Sequence, residues 1–196
     1  MTIKISRGRG RPRRFDPEQA VATAQRLFHA QGYDAVSVAD VTDALGINPP
    51  SLYAAFGNKA GLYARVLNRY NSTNAIPLRD LLRPDRPVAE CLASVLEEAA
   101  RHYAADPVTS GCMVLEGTRS NDADARDAAC ALQAAAESMI RNYVASRHPE
   151  EAERVTDFVA TIMAGLSTKA RNGQDLDRLL AIADIASMAL AEALGD

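Results

Sequence analysis

Between Ser37 and Gly57 the sequence twice repeats one punctuation: a side chain able to cap a helix, a short run of apolar residues at helical spacing, then a glycine. Ser37 is the first cap, and Asp40 stands three residues on, where a capping partner belongs. Val38, Val41, Ala44 and Leu45 make one inward stripe, and Gly46 stops it. Asn48 is the second cap, and Pro49 takes the first helical position, where a missing N–H costs nothing. Leu52 and Phe56 anchor that run before Gly57. Helices over 37–45 and 48–56, joined by Gly46-Ile47-Asn48, form a helix-turn-helix. The glycine tolerates positive φ and Ile47 pins the pair. The second helix then presents its N-terminal turn to a DNA major groove, its amide dipoles facing phosphate.

The rest of the chain also reads as helix, with no sustained period-2 run that would argue for a sheet. Asp16-Pro17-Glu18-Gln19 starts a helix carried by Val21, Ala24, Leu27 and Phe28 and ended by Gly32. Asn58 caps a fourth helix with Leu62, Val66, Leu67 and Tyr70 on its stripe. Prolines 77, 84 and 87 mark a joint. Beyond it the periodicity predicts helices near 87–104, 110–118, 122–146, 149–171 and 175–194. They are separated at Asp106-Pro107, His148-Pro149 and Asn172-Gly173. The expected class is all-α: an N-terminal helix-turn-helix DNA-binding domain over 15–70 and a C-terminal helical domain over 75–196.

Charge divides the chain at the same place. Residues 1–74 carry ten Lys/Arg against five Asp/Glu, a net of +5, whereas residues 75–196 carry a net of −8. Such a chain meets a polyanion with its front half. Residues 1–14 hold six basic side chains and no acid, and read as a disordered basic arm. Within it, Gly10-Arg11-Pro12-Arg13 resembles an AT-hook core, whose arginines enter the narrow minor groove of A·T-rich DNA. Arg11 and Arg13 are its candidate contacts. Loose attraction to phosphate is the other open reading.

Phe15 to Tyr70 resembles the DNA-binding domain of the TetR/AcrR family of transcriptional regulators. The stretches that carry the likeness are AQRLFHAQG (24–32), VSVADVTDALG (36–46), INPPSLYAAF (47–56) and NKAGLYARV (58–66). The resemblance implies that Ser37 meets a phosphate and that Asn48, Pro50 and Ser51 lie at the groove-facing start of the recognition helix. It implies that Tyr53 contacts backbone or a base edge and that Lys59 pairs with phosphate. The chain departs from the family where Pro49 replaces a basic residue and Ala54 and Ala55 replace His or Tyr, which shifts weight to the arm and to DNA shape.

The C-terminal part resembles the family's effector and dimer domain in layout. His102, Cys112, Met113, Met139, Tyr143 and Met163 are candidate pocket residues for an apolar or aromatic small molecule. Each has a plainer reading as core methionine, structural histidine or inert thiol. The last two helices are expected to pack on their copies in a homodimer. Ala160, Ala164 and Gly165 would permit close approach there. The face of Leu179, Ile182, Ala183, Ile185, Ala186, Ala189 and Leu190 is wider than one core needs.

Other classes find no support in the sequence. Three scattered histidines and three cysteines with no C-x-x-C give no metal-ligand spacing. No phosphate-loop, nucleophile-elbow or dinucleotide fingerprint appears, so neither enzyme nor cofactor is expected. No apolar run is long enough for a membrane span, and the cysteine usage fits the cytoplasm. The expected function is a repressor that a small-molecule effector releases from its double-stranded DNA operator. The alternative is an architectural or constitutive DNA-binding protein without effector.

Overall fold

Asp16 starts the first helix as its side chain requires, its carboxylate accepting the amides of Glu18 at 3.0 Å and Gln19 at 3.5 Å. The structure is a computed structural model and describes residues 16–195. Four helices make the N-terminal head: α1 (Pro17–Gln31), α2 (Val38–Leu45), α3 (Pro49–Phe56) and α4 (Lys59–Thr73). Each opens on the side chain that the sequence marks. Ser37 and Asp40 form a reciprocal capping box, the amide of Ser37 donating to the Asp40 carboxylate at 2.8 Å and the amide of Asp40 to Ser37 Oγ at 3.1 Å. Asn48 accepts the amide of Ser51 at 3.0 Å, and Asn58 that of Gly61 at 2.7 Å. The turn between α2 and α3 closes at Gly46, left-handed at φ 65°.

Val21, Ala24, Phe28, Val36, Val41, Leu52, Leu62 and Val66 fill the head's core. Gly61 is there for space. A Cβ at that position would lie 2.2 Å from the carbonyl oxygen of Phe56, so α4 can start only this close beneath the end of α3 without a side chain.

Six helices follow: α5 (Leu78–Leu81), α6 (Val88–Ala104), α7 (Met113–Gly117), α8 (Ala123–Ala145), α9 (Ala152–Arg171) and α10 (Leu176–Leu194). A 3-10 turn at Pro149–Glu151 precedes α9. α6 is the central rod, packing against both α9 and α10. Leu92, Val95 and Leu96 meet Val155, Val159, Ala183 and Leu190, and further along Ala99 and Tyr103 meet Leu166 and Leu179. The described residues contain no strand, and α5 alone was not expected, since its single turn sits within the proline-rich joint.

The last helix corrects one expectation. Leu179, Ala183, Ala186 and Leu190 recur at helical spacing and are all buried within the subunit. The outward face is narrower and carries Ile185, Met188 and Ala189, with Ile182 half-buried. Ala160 lines a cavity in the subunit.

Head and body share a core. Met113, Ala125 and Ala129 belong to the same buried cluster as Phe28, Tyr63 and Tyr70. Polar contacts rim it: Tyr33 Oη donates to Asp122 at 2.8 Å, and the amide of Asn121 donates to Asp34 at 3.0 Å. Buried His29 donates Nε2–H to the carbonyl of Gly111 at 3.1 Å, and Arg171 donates to the carbonyl of His29 at 3.0 Å.

Two expectations follow from this packing. Gly61→Ala should cost about 1–3 kcal/mol despite alanine's better helix propensity, because the clash is with backbone; a thermal melt that matches the parent would show that α3 and α4 can separate freely. His29 has its pKa lowered, first by burial, with the nearby Arg171 adding to it. The unfolded chain therefore binds the proton more readily. The stability from neutral His29 is complete above the ordinary value of 6.5 and is lost as pH falls below it. The slope there reaches at most about 1.4 kcal/mol per pH unit. Denaturant titrations should show this loss in the parent and a flatter profile in His29→Gln.

Candidate nucleic-acid interface and cavity

α3 buries Leu52 and Phe56 against the head and turns Pro49, Pro50, Tyr53 and Ala54 to solvent. Tyr53 is 46% exposed, a large aromatic side chain left out of the core. At the N-terminus of the helix, Asn48 Oδ1 accepts both the amide and the hydroxyl of Ser51, at 3.0 and 2.7 Å. The oxygen of Asn48 and the hydroxyl hydrogen of Ser51 are thus spent on the cap. The Asn48 NH₂ and the Tyr53 hydroxyl are the donors this end of the helix can offer. Ser37 is exposed at the start of α2, with its hydroxyl donating to Asp40 at 2.6 Å. The Ser37 side chain, then its backbone amide, hold the Asp40 carboxyl below its ordinary range.

Lys59 is more enclosed than a phosphate contact needs to be. Its Nζ donates to the carbonyls of Val36 at 2.8 Å and Tyr33 at 3.0 Å and stands 3.8 Å above the Tyr33 ring. It joins α4 to the loop that leads into α2, and one of its three N–H donors is left over. Desolvation lowers its pKa, while Asp34 and Asp122 work in the other direction. Spacing could not show this clasp, because the two carbonyls belong to a loop more than twenty residues away. Arg11 and Arg13 lie outside the described residues.

In the body a cavity of about 490 Å³ opens between the end of α4, α7, α8 and α9. Among the six candidates, Cys112, Met139 and Met163 line it, and His102, Met113 and Tyr143 do not. Met113 is buried in the head's core, because the first turn of α7 leans on Tyr63 and Ala129. The Tyr143 hydroxyl turns away to donate to the carbonyl of Arg83 at 2.7 Å. His102 is half-buried on α6, beside Tyr103.

The cavity has two characters. Its mouth carries exposed Asn71, Ser72, Arg79 and Asp80, together with Glu137, which accepts from Gln133 at 2.7 Å. Its interior is aliphatic, with Leu132, Met139, Ile140 and Met163, and ends at Tyr70 and Tyr103. Both tyrosines are only 2% exposed and fall on apolar helical stripes, which is why the sequence reads them as core. No helix among the described residues is long and apolar enough to cross a membrane.

Known proteins place this arrangement. Residues 20–66 match the profile described as bacterial regulatory proteins, tetR family. The chain is 60% identical over 190 residues to the HTH-type transcriptional repressor BdcR of Escherichia coli K12, covering 97% of this chain and 96% of that protein. It is 30% identical to the HTH-type transcriptional repressor ComR of the same organism, over 91% of this chain and 90% of that protein. A cysteine variant of the TetR family regulator CifR, solved with 26-bp double-strand operator DNA, superposes with a TM-score of 0.81 at 32% identity. That match covers 91% of this chain and 99% of the other. The chain belongs to the TetR family of DNA-binding transcriptional regulators.

Proposed function

We propose that the chain is a homodimeric repressor whose grip on its operator weakens when a small molecule occupies the cavity. One observation carries the second half of this reading: the cavity wall is also part of the joint between head and body. Tyr70 lines the cavity and packs edge-on against His29 of the head, with ring centroids 5.4 Å apart. Cys112 lines the cavity between Gly111, which holds His29, and Met113, which sits in the head's core. A molecule pressing on Tyr70 or Cys112 therefore bears on the head through packed atoms. It shifts the head only in so far as it binds the two head positions with different affinity.

The DNA-binding half rests on α3 and its surroundings. Ser37 caps α2, Asn48, Pro50, Ser51 and Tyr53 belong to the first turns of α3, and Lys59 opens α4; a helix-turn-helix that enters the major groove uses the start of its second helix. The similarity to two proteins named repressors supports repression as the outcome of binding.

The dimer would form on α9 and α10. Ile185 and Met188 are 65% and 66% exposed, and a Cβ at Gly165 would meet nothing within 4 Å, so this side is apolar and open. Exposed apolar side chains on one face are what a four-helix interface between subunits covers.

Two outcomes test these assignments. With DNA from the gene's own upstream region, Tyr53→Phe should weaken binding by about 1 kcal/mol, the loss of one hydrogen bond. Lys59→Gln should lower the salt slope by about one. A Lys59→Gln protein that melts earlier but keeps its salt slope would make that lysine a positioning residue only. Separately, Ile185→Asp with Met188→Asp should leave a folded, helical monomer in sedimentation, because both side chains lie outside the subunit's own core while the interface would have to bury unpaired charge. A dimer that persists would put the contact on another face.

A further inference from the structure

Two hydroxyls meet at the inner end of the cavity. Tyr70, from α4, and Tyr103, from α6, line it together with Cys112, and both tyrosines are only 2% exposed. Burial pushes both phenols above their ordinary range and holds them as neutral donors. The same burial raises the Cys112 thiol, which is therefore not a resting thiolate. A thiol sulfur is a weak acceptor. Two desolvated phenol donors thus share the inner wall with a poor acceptor and with aliphatic side chains.

Charge is confined to the mouth. Arg79 and Asp80 are exposed there, Glu137 is engaged with Gln133, and none of the residues of the inner wall is ionised. An ion carried inward would lose its hydration without a counter-charge. An oxygen acceptor on a neutral molecule would instead accept from the phenols and gain better hydrogen bonds than a thiol sulfur offers.

We infer that the cavity selects neutral, largely apolar molecules bearing a carbonyl or ether oxygen, and that Tyr70 and Tyr103 are the residues that recognise this oxygen. The assignment rests on the effector reading above and gives it a ligand class. Cavities of this volume take molecules of drug-like size, so a naphthyl ketone fits.

The test uses the intact protein and two probes: Prodan, a neutral fluorescent naphthyl ketone, and its propyl analogue, in which a methylene replaces the carbonyl. Affinities are measured for the parent and for Tyr70→Phe with Tyr103→Phe. The ratio of ketone to propyl affinity should fall about tenfold from parent to variant, as expected for a lost hydrogen bond in a double-mutant comparison. The emission of bound ketone should shift to the blue. An equal ratio in both proteins overturns the inference, as does a parent that binds the propyl analogue and not the ketone. Should the double variant melt early, Tyr103→Phe alone and the emission of ketone bound to the parent still decide. Emission at the position of an apolar solvent means that the oxygen has no donor. Release of upstream-region DNA is followed in the same titration. Tyrosine-dependent binding that leaves the DNA in place supports the ligand class and removes the effector reading. Release that is indifferent to both tyrosines removes the ligand class.

Discussion

Phe28, Tyr33 and Tyr63 pack as one aromatic group, with ring centroids 5.8, 5.1 and 4.8 Å apart, and the rest of the architecture depends on where this group sits. It is the centre of the head, yet it faces the body. The hydroxyl of Tyr63 reaches the carbonyl of Met113, and a Cβ at Gly117 would stand 2.5 Å from that same hydroxyl. The body has thus been hollowed at one position to admit a ring from the head. A head seated in this way is not a free module on a tether. It can move only by sliding the aromatic group over α7 and α8. Close-packed interfaces of this kind favour a few discrete seatings over a continuum.

The polar rim of the joint has a different part. The contact of Asp34 with Asn121 lies at the surface, where a hydrogen bond contributes little net stability, and that of Tyr33 with Asp122 is half-buried. The buried contact of His29 with Gly111 weighs more, because breaking it leaves desolvated groups without partners, and the half-buried bond from Arg171 to the His29 carbonyl adjoins it. These two contacts lie next to the cavity wall at Tyr70 and Cys112. The part of the joint that is costly to break is therefore the part a bound molecule would touch.

The sequence carried the head almost completely and the cavity only in part, for a physical reason. Asp16, Ser37, Asn48 and Asn58 act within three residues of themselves, so each cap is a local statement and each is found where it was read. Apolar periodicity is also local. It says that Leu179, Ala183, Ala186 and Leu190 need a partner, but not whether that partner is α6 of the same chain or a second subunit. The same ambiguity hid Tyr70 and Tyr103, whose rings satisfy the apolar stripe while their hydroxyls serve a cavity. Met113 and Tyr143 erred in the opposite direction, because residue type suggested a pocket and packing put both elsewhere. Lys59 lay between the two cases. Its place at the start of α4 follows from the Asn58 cap, but its two carbonyl partners come from a loop that only the folded chain brings near.

The composition of α3 links these parts. Its eight residues include no charged side chain, and its outward face is proline, tyrosine and alanine. Such a helix offers few donors to base edges, so on the proposed reading each subunit alone discriminates weakly between sequences. Specificity then depends on two heads meeting two half-sites at a fixed spacing, and on the shape of the DNA between and beside them. A repressor of that design is unusually sensitive to head position, since a small displacement loses shape complementarity at both half-sites together. On that reading, a recognition helix with little chemistry of its own and a cavity built into the seat of the head are parts of one solution. The weaker the direct readout, the smaller the movement a ligand must cause.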